Sequence, residues 1–301
     1  MTQKWVGRFA PTPSGPLHFG SLVAALGSYL IARQRQGQWL LRIEDIDPPR
    51  EMPGAAQDIL STLEAFGFEW DGPVTYQSQR TAAYEQALDL LHSKSLVYQC
   101  DCSRKIVIER NDGVYDKYCR NRDLIDIGDS AIRIKFDPTF AKFNDEIFGH
   151  CEFNQQVFCQ DFVVRRRDGL FAYQLAVVVD DIDFGINHIV RGADILDSTP
   201  RQNFLYHCFD KSAPSYFHLP LVTDESGHKY SKSKFFPAVE PAKACEWILK
   251  AYIHLGQKPP ETDQIDKPDE LLNWAVSNFE LNKISKQPIA YPTDRGGEIT
   301  T

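Results

Sequence analysis

The sequence predicts an α/β fold built on a parallel sheet, because apolar segments with the spacing of strands and of helices alternate along the chain. Trp5 to Ala10 and Gln38 to Ile43 are short apolar runs typical of buried strands, and Leu22 to Arg35 between them has the amphipathic spacing of a helix. The pattern continues with two predicted helices and a third predicted strand, at Ala55 to Phe66, Ala82 to His92 and Leu96 to Gln99. This βαβα order favours a parallel sheet.

The turn before the first helix is suited to binding phosphate. It combines prolines and glycines with a histidine at the predicted helix start, in the sequence Pro11-Thr12-Pro13-Ser14-Gly15-Pro16-Leu17-His18-Phe19-Gly20-Ser21. The N–H groups and the positive dipole end of a helix N-terminus attract phosphate. The same residue types also occur in ordinary turns, and a histidine at this position often only caps the helix. Taken alone, the turn therefore leaves both interpretations open.

A basic segment rich in hydroxyl groups lies much further along the chain. Lys229-Tyr230-Ser231-Lys232-Ser233 follows a polar stretch without apolar periodicity, from Thr223 to His228. Two lysines with hydroxyls between them can neutralise a polyphosphate, and a mobile loop can close over it. A solvated loop is the simpler explanation of this segment by itself. Together with the turn at 11–21, it predicts a site for a nucleoside triphosphate.

The composition excludes several classes of protein. With 301 residues and 43% hydrophobic content, the chain can bury a full core, as one large domain or as two. It has no run of about 20 apolar residues and no apolar signal peptide, so we expect a cytoplasmic protein without a membrane partner, and a monomer. The net charge of −8 argues against a generally basic nucleic-acid binder, although RNA contact needs only a local basic surface.

The cysteines indicate a metal site or reduced thiols rather than disulfides, since there are seven of them and no signal peptide. Cys100, Cys102 and Cys119 are close enough in the sequence to hold Zn²⁺, which as a structural ion takes four ligands. Three incidental thiols are the alternative. The spacing leaves the fourth ligand open among Asp101, Tyr115, Asp116, Tyr118, His150 and Cys151.

The segment from Cys100 to about Gly169 interrupts the α/β pattern with charged loops and short predicted strands, at Ala131 to Phe136 and Phe162 to Arg166. The pattern then resumes with two strands and a helix, at His188 to Arg191, Tyr216 to Leu221 and Pro200 to Phe209. Two more helices and a frayed tail are expected after it, at Ala242 to Leu255, near Glu270 to Phe279, and at Pro288 to Thr301. We expect a first catalytic half, an inserted zinc-binding subdomain, a second catalytic half and a small helical region, at 1–99, 100–170, 171–234 and 235–301.

The turn and the lysine segment resemble the two signatures of class I aminoacyl-tRNA synthetases. His18-Phe19-Gly20-Ser21 is similar to the HIGH element of that class, and Lys229 to Ser233 is similar to its KMSKS element. Further segments resemble the glutamyl branch, at Arg8 to Gly15, Leu41 to Arg50, Tyr173 to Asp181 and Val190 to Asp194. The resemblance covers about residues 4–235. It implies a Rossmann-type enzyme that activates L-glutamate with ATP, with Mg²⁺ arriving with the nucleotide.

The resemblance also implies the site residues. ATP would be bound by Pro11, His18, Gly20, Ser21, Lys229, Ser231 and Lys232, with His18, Lys229 and Lys232 as the catalytic residues. Glutamate would be bound by Arg8, Phe9, Ala10, Pro11, Thr12, Glu44, Tyr173 and Arg191. In this pocket Arg8 and Arg191 can bind the side-chain carboxylate, and Glu44 can accept the α-ammonium. Without the resemblance, a salt bridge between Arg8 and Glu44 on neighbouring strands would be the simpler explanation.

One short branch of the glutamyl family attaches glutamate to queuosine in tRNA(Asp), and it binds zinc through a Cys-x-Cys followed by Tyr-x-x-x-Cys. Cys100, Cys102, Tyr115 and Cys119 match that arrangement, so the resemblance implies one structural zinc ion with Tyr115 as its fourth ligand. Residues 234–301 are too few for the large region with which ordinary glutamyl enzymes contact the anticodon. The resemblance to the short branch thus implies tRNA-independent activation of glutamate and its transfer to queuosine at the wobble position of tRNA(Asp).

Three alternatives remain. A truncated glutamyl enzyme would charge the 3′ end of tRNA(Glu). A small nucleotidylyltransferase would use the nucleotide signatures but would have no need for Arg8, Glu44 and Arg191 together. A catalytically silent RNA-binding paralogue would have no activity, and the intact His18 and Lys232 argue against it.

Overall fold

The computed structural model describes residues 4–122, 124, 128–154, 160–223, 238–261, 265–287 and 289–290. Its strands are β1 (Val6–Phe9), β2 (Gln38–Ile43), β3 (Thr75–Tyr76), β4 (Val97–Cys100), β5 (Ala131–Ile134), β6 (Lys142–Asp145), β7 (Gly149–Glu152), β8 (Phe162–Arg165), β9 (His188–Gly192), β10 (Ser215–Leu219), β11 (Val222–Thr223) and β12 (Ile289–Ala290). Its α-helices are α1 (Phe19–Gln34), α2 (Ala55–Ala65), α3 (Thr81–Ser93), α4 (Arg104–Asn111), α5 (Tyr173–Asp183), α6 (Thr199–Cys208), α7 (Ala244–His254) and α8 (Pro268–Asn278). Short 3₁₀ turns lie at Pro48–Arg50, Gln77–Gln79, Pro138–Ala141, Ala193–Ser198, Pro241–Lys243 and Leu281–Lys283.

The central sheet confirms the predicted α/β class. Strands β1, β2 and β3 pair in parallel in that order, and β9, β10 and β6 form a second parallel run with β7 antiparallel at its edge. Asn187, just before β9, joins the two runs because it accepts a hydrogen bond from the Val6 N–H at 2.8 Å and donates its own N–H to the Val6 carbonyl at 3.1 Å. The strand order β3-β2-β1-β9-β10 brings the carboxyl ends of β1 and β9 together, where ligands bind in doubly wound sheets.

The strand expected at 96–99 is present as β4, but its assignment to the parallel sheet is wrong. Strand β4 pairs antiparallel with β5, and β5 pairs antiparallel with β8, which makes a separate three-stranded sheet. The third strand of the first parallel run is instead β3, Thr75–Tyr76. Two residues are too short for an alternating pattern to show in the sequence.

Helix α1 lies at the centre of the core and is buried along most of its length. One side approaches the sheet closely, since a Cβ at Gly27 would lie 2.6 Å from the Leu219 side chain on β10. The C-terminal helices cover another side: the Phe19 and Trp247 rings are 5.9 Å apart, and the Gln34 side chain donates to the Phe279 carbonyl at 2.7 Å. This packing fixes the N-terminus of α1 at the carboxyl edge of the sheet.

The tail expected to be frayed begins with an ordered pair. Ile289 and Ala290 form β12, which pairs in parallel with β11, so the prediction is wrong for these two residues, and residues 291–301 lie outside the described part of the chain. The two C-terminal helices are present as α7 and α8. None of the helices described is long and apolar enough to cross a membrane.

Candidate functional site

His18 caps the N-terminus of α1. Its Nδ1 accepts a hydrogen bond from the Ser21 N–H at 3.2 Å, and its Nε2 lies 3.1 Å from the Ser21 hydroxyl. Gly20 lies against this ring, since a Cβ there would be in van der Waals contact with two imidazole atoms at 3.4 Å. Since Nδ1 accepts the backbone proton, the hydrogen of a neutral ring lies on Nε2, which faces the Ser21 hydroxyl here and can donate to a phosphate oxygen in exchange for that contact.

The backbone beside His18 comes from Ala238 and Val239, which follow the lysine segment in the chain. Ala238 forms a bridge with His18, and the Val239 N–H donates to the Leu17 carbonyl at 3.0 Å. The predicted residues Lys229, Ser231 and Lys232 lie outside the described residues. The chain enters that segment after Thr223 on β11 and leaves it at Ala238, directly beside the N-terminus of α1.

Arg8 and Glu44 are both buried at the carboxyl ends of their strands, as predicted, but neither pairs with the other. The Arg8 Nε–H donates to Asp181 on α5 at 3.2 Å. Arg42 on β2 bridges the two acids, with Nη1 2.6 Å from Asp181 and Nη2 3.1 Å from Glu44. The prediction of a simple Arg8–Glu44 salt bridge is therefore wrong. Arg42 instead connects the two predicted glutamate-binding residues, through Asp181 on one side and directly on the other.

Asp180, next to Asp181 on α5, anchors the outer side of this network. It accepts hydrogen bonds from Gln77 at 2.7 Å, Tyr84 at 2.9 Å and Arg80 at 3.1 Å. Three arginines thus meet three carboxylates, and every one of these charged groups except Arg80 is buried. Buried charges need such pairing, so the network holds Arg8 and Glu44 in fixed positions.

The pKa values of Glu44 and Asp181 move in opposite directions. Burial raises the pKa of Glu44 above its ordinary value, and Arg42 and Arg8 only partly offset it. Burial also opposes ionisation of Asp181, but the contacts with Arg42 and Arg8 outweigh it and lower its pKa. Asp181 is therefore the firm counterion of the two arginines, while Glu44 would gain from an added cation such as an ammonium group.

Arg191 on β9 is buried and is held by three uncharged groups. Its Nε–H donates to His218 Nε2 at 2.9 Å, Nη1 donates to the Gln202 side-chain oxygen at 2.7 Å, and Nη2 donates to the Thr199 hydroxyl at 2.8 Å. Its guanidinium also faces the Tyr216 ring at 5.2 Å. A guanidinium has five N–H groups, so two of them remain for a further acceptor.

Four more of the predicted glutamate-binding residues, Phe9 to Thr12, follow Arg8 directly in the chain. Phe9 and Pro11 are buried, and Ala10 and Thr12 are half-buried, where the chain leaves β1. The Pro11 carbonyl accepts the Glu44 N–H at 3.0 Å and so ties this turn to the end of β2. Tyr173 begins α5, and burial together with nearby Glu44 raises its pKa. Arg8, Glu44, Tyr173 and Arg191 are therefore neighbours in space.

The structure brings Cys100, Cys102 and Cys119 together into one cluster that could hold a metal ion. Their sulfur atoms all lie within 4.8 Å of one another, and those of Cys102 and Cys119 are 3.4 Å apart. Four thiolates on a tetrahedral zinc ion would be about 3.8 Å apart, so these separations fit. The other cysteines that the structure describes, Cys151, Cys208 and Cys245, do not belong to this cluster.

Tyr115 is the candidate fourth ligand with the best position. Its hydroxyl lies 3.4 Å from the Cys100 sulfur and accepts the Cys119 N–H at 3.1 Å. Asp101 also approaches Cys119, at 3.2 Å, but its carboxylate is held by Arg122 at 2.8 and 3.0 Å. Tyr118 is half exposed and stacks against Arg110 and Arg122, away from such a role.

Several residues of the site were not singled out by the sequence: Arg42, Asp145, Asp181, Thr199, Gln202 and His218. Arg42 and Asp181 lie within motifs that resemble the glutamyl branch, yet their pairing joins segments far apart in the chain. His218 carried a signal of its own, since it is a polar residue between Phe217 and Leu219 in a buried strand. A buried polar group needs partners, and the two ring nitrogens of His218 find them in Asp145 and Arg191.

Comparisons with known proteins agree with this geometry. Residues 4–247 match the model of the family described as tRNA synthetases class I (E and Q), catalytic domain. The chain is 49% identical over 288 residues to a protein of Ectopseudomonas mendocina named glutamyl-Q tRNA(Asp) synthetase, covering 95% of this chain and 97% of the relative. It is 48% identical over 286 residues to a protein of the same name from Pectobacterium atrosepticum, covering 95% of this chain and 88% of that one. The solved glutamate-tRNA synthetase of Elizabethkingia anophelis superposes with a TM-score of 0.79 at 26% identity, covering 98% of this chain and 69% of that structure.

Proposed function

This chain belongs to the class I tRNA synthetases of the glutamate and glutamine family, and from that premise we propose that it activates L-glutamate with ATP and transfers it to queuosine in tRNA(Asp). The enzyme is thus a ligase that forms an ester through a glutamyl-adenylate. The observation that carries the proposal is the similarity along almost the whole chain to relatives named glutamyl-Q tRNA(Asp) synthetase. The acceptor is queuosine at the wobble position, and the enzyme works as a monomer.

The glutamate pocket supports this proposal by its charges. The two N–H groups that remain on Arg191 offer a site for the side-chain carboxylate, and Arg8 is a second buried arginine whose charge, like that of Arg191, reaches Tyr173. Glu44 is buried with a raised pKa and accepts the α-ammonium at the other end. Opposite charges at the two ends of the pocket suit an amino acid with an acidic side chain.

Activation requires placement and positive charge rather than an enzyme nucleophile. The substrate carboxylate attacks the α-phosphate of ATP, the bond to the β-phosphate oxygen breaks, and pyrophosphate leaves. His18 Nε2 and the N-terminus of α1 bind phosphate oxygens, and Lys229 and Lys232 neutralise the charge that builds up as pyrophosphate departs. Pro11, Gly20, Ser21 and Ser231 complete the nucleotide site, and Mg²⁺ enters with ATP.

The direct test of activation is pyrophosphate exchange without any tRNA. We expect L-glutamate to drive exchange of radioactive pyrophosphate into ATP, and glutamine to drive it at least about ten-fold less well, because the pocket is built for a carboxylate. A strict requirement for tRNA would contradict tRNA-independent activation. Exchange with no amino acid preference would contradict the glutamate site.

The cysteine cluster binds one structural zinc ion in this proposal, through Cys100, Cys102, Cys119 and Tyr115. Hydrogen bonds from Tyr115 and Arg133 outweigh burial and lower the pKa of Cys100, which favours the thiolate that zinc needs. The phenol of Tyr115 is the unusual member of this set, because burial raises its pKa. A bound zinc ion would join Cys100 at the end of β4 to the loop that carries Cys119.

Metal analysis of the purified protein is expected to find about one zinc per chain, by the four-ligand rule. Cys119→Ser should remove that zinc and lower the unfolding temperature, whereas Cys245→Ser, a change at a half-buried cysteine outside the cluster, should leave the zinc content unchanged. A metal-free wild-type protein of full stability would show that the three thiols are incidental.

A further inference from the structure

Arg191 differs from the other buried arginines of the site in what surrounds it. Arg8 and Arg42 each lie within ion-pair distance of a buried carboxylate. Within the described part of the chain, the three acceptors on Arg191 are an imidazole, an amide and a hydroxyl. A buried cation without a counterion is costly, so the missing negative charge is expected from the substrate.

The imidazole of His218 is held in its neutral, accepting form. Its Nδ1–H donates to Asp145 at 2.6 Å, which leaves the Nε2 lone pair for the Arg191 Nε–H. Asp145 is itself fixed by the N–H groups of Ile147 at 2.9 Å and Phe148 at 2.8 Å. Burial lowers the pKa of His218 to about 4, so the ring carries no charge near neutral pH.

The amide of Gln202 is also fixed with its oxygen towards Arg191. Its Nε2–H donates to the Gln174 side-chain oxygen at 3.1 Å, and the Gln174 amide donates in turn to Ser198 at 3.0 Å. A flipped Gln202 amide would point a donor at the guanidinium and lose both bonds. Gln202 and Thr199 lie one turn apart on α6, so a single helix positions both acceptors.

We propose that Thr199, Gln202 and His218 are positioning residues that determine the choice of amino acid, because they fix the Arg191 guanidinium through neutral acceptors and leave its charge to a substrate carboxylate. The inference rests on the proposed activation of glutamate. Asp145 contributes by orienting His218, and its own charge stays one imidazole away from Arg191. A carboxylate in place of any of the three acceptors would supply the counterion from the protein and weaken the preference for glutamate over glutamine.

The sharpest variant is Gln202→Glu, because it has nearly the same shape and places a carboxylate where an oxygen already lies 2.7 Å from Arg191. We expect the ratio of kcat/KM for glutamate to that for glutamine, measured by pyrophosphate exchange, to fall about ten-fold or more, mainly through a higher KM for glutamate. Gln174→Glu is the matched control, since it adds the same charge one side chain further from Arg191. Its ratio should fall much less.

A second pair of variants tests His218 independently. His218→Ala removes the acceptor for the Arg191 Nε–H and should raise the KM for glutamate, while His218→Gln can place a neutral oxygen near the same position and should restore part of the loss. Thermal unfolding of each variant identifies any that fails to fold. If one pair of variants, at Gln202 and Gln174 or at His218, is lost in this way, the other pair still tests the proposal.

The outcomes distinguish a failure of the proposed function from a failure of the inference about the acceptors on Arg191. No glutamate-dependent exchange by the wild-type protein would contradict the proposed function itself. Normal wild-type exchange with an unchanged glutamate-to-glutamine ratio in Gln202→Glu, or an equal fall in Gln174→Glu, would overturn only the inference about the neutral acceptors. A ratio that falls in Gln202→Glu and a KM that recovers in His218→Gln would support it.

Discussion

Asp181→Asn is expected to lower the free energy of unfolding by about 3–5 kcal/mol, because it removes the shared counterion of two buried arginines. Asp181 lies 3.2 Å from Arg8 and 2.6 Å from Arg42, and all three side chains are buried. The asparagine has nearly the same shape, so the loss reports on charge rather than on a cavity. Urea unfolding at neutral pH measures the change.

Asp183→Asn is the matched control for that prediction. Asp183 lies on the same helix and pairs with Arg80, but its side chain is exposed. Exposed ion pairs contribute about 0–1 kcal/mol, so this substitution should have little effect on the free energy of unfolding. Equal effects of the two substitutions would show that Asp181 does not act as the counterion of a buried network.

Lys232→Ala is expected to slow glutamate-dependent pyrophosphate exchange by about 10²-fold or more, because it removes one donor of positive charge to the departing pyrophosphate. Ala238, which follows Lys232 in the chain, pairs with His18 at the N-terminus of α1. The effect should be on kcat more than on the KM for glutamate, because the negative charge that Lys232 neutralises develops only as pyrophosphate departs.

Lys258→Ala serves as the matched control for the lysine, since Lys258 is exposed and lies beyond α7. It should leave the exchange rate unchanged. If Lys232→Ala folds normally and retains the full exchange rate, that lysine has no part in the mechanism.

Most of the secondary structure could be predicted from the sequence, because strand and helix periodicities depend on residues close together in the chain. The predicted helices and strands are present with boundaries shifted by a few residues. The pairing of strands was harder to predict than their existence, as β4 shows. Its apolar run indicates a strand, but no neighbouring residue indicates that it pairs with β5, some thirty residues later, rather than with the parallel sheet.

The candidate site was predictable to a lesser degree. The residues that resemble a known family, such as Arg8, Glu44 and Arg191, do lie together in the structure. Their partners could not be inferred, because a buried charge can be paired by any carboxylate that the fold brings near. Asp181 comes from a helix far along the chain from Arg8, and a spacing argument based on neighbouring strands chose Glu44 instead.

The set of uncharged acceptors around Arg191 was the least predictable feature. Thr199, Gln202 and His218 come from α6 and β10, and although His218 stands out among apolar neighbours, nothing in the sequence indicates that the three meet at one arginine. Only the three-dimensional arrangement shows that each contacts a different nitrogen of the same guanidinium.

The most direct test of the proposed function compares two preparations of tRNA(Asp), one with queuosine and one without it, in the presence of radioactive glutamate and ATP. We predict that only the queuosine-containing tRNA is labelled, and that labelling persists when its 3′-terminal adenosine has been removed. Equal labelling of both preparations, or loss of the label with the terminal adenosine, would contradict transfer to queuosine and would indicate a truncated enzyme that charges the 3′ end.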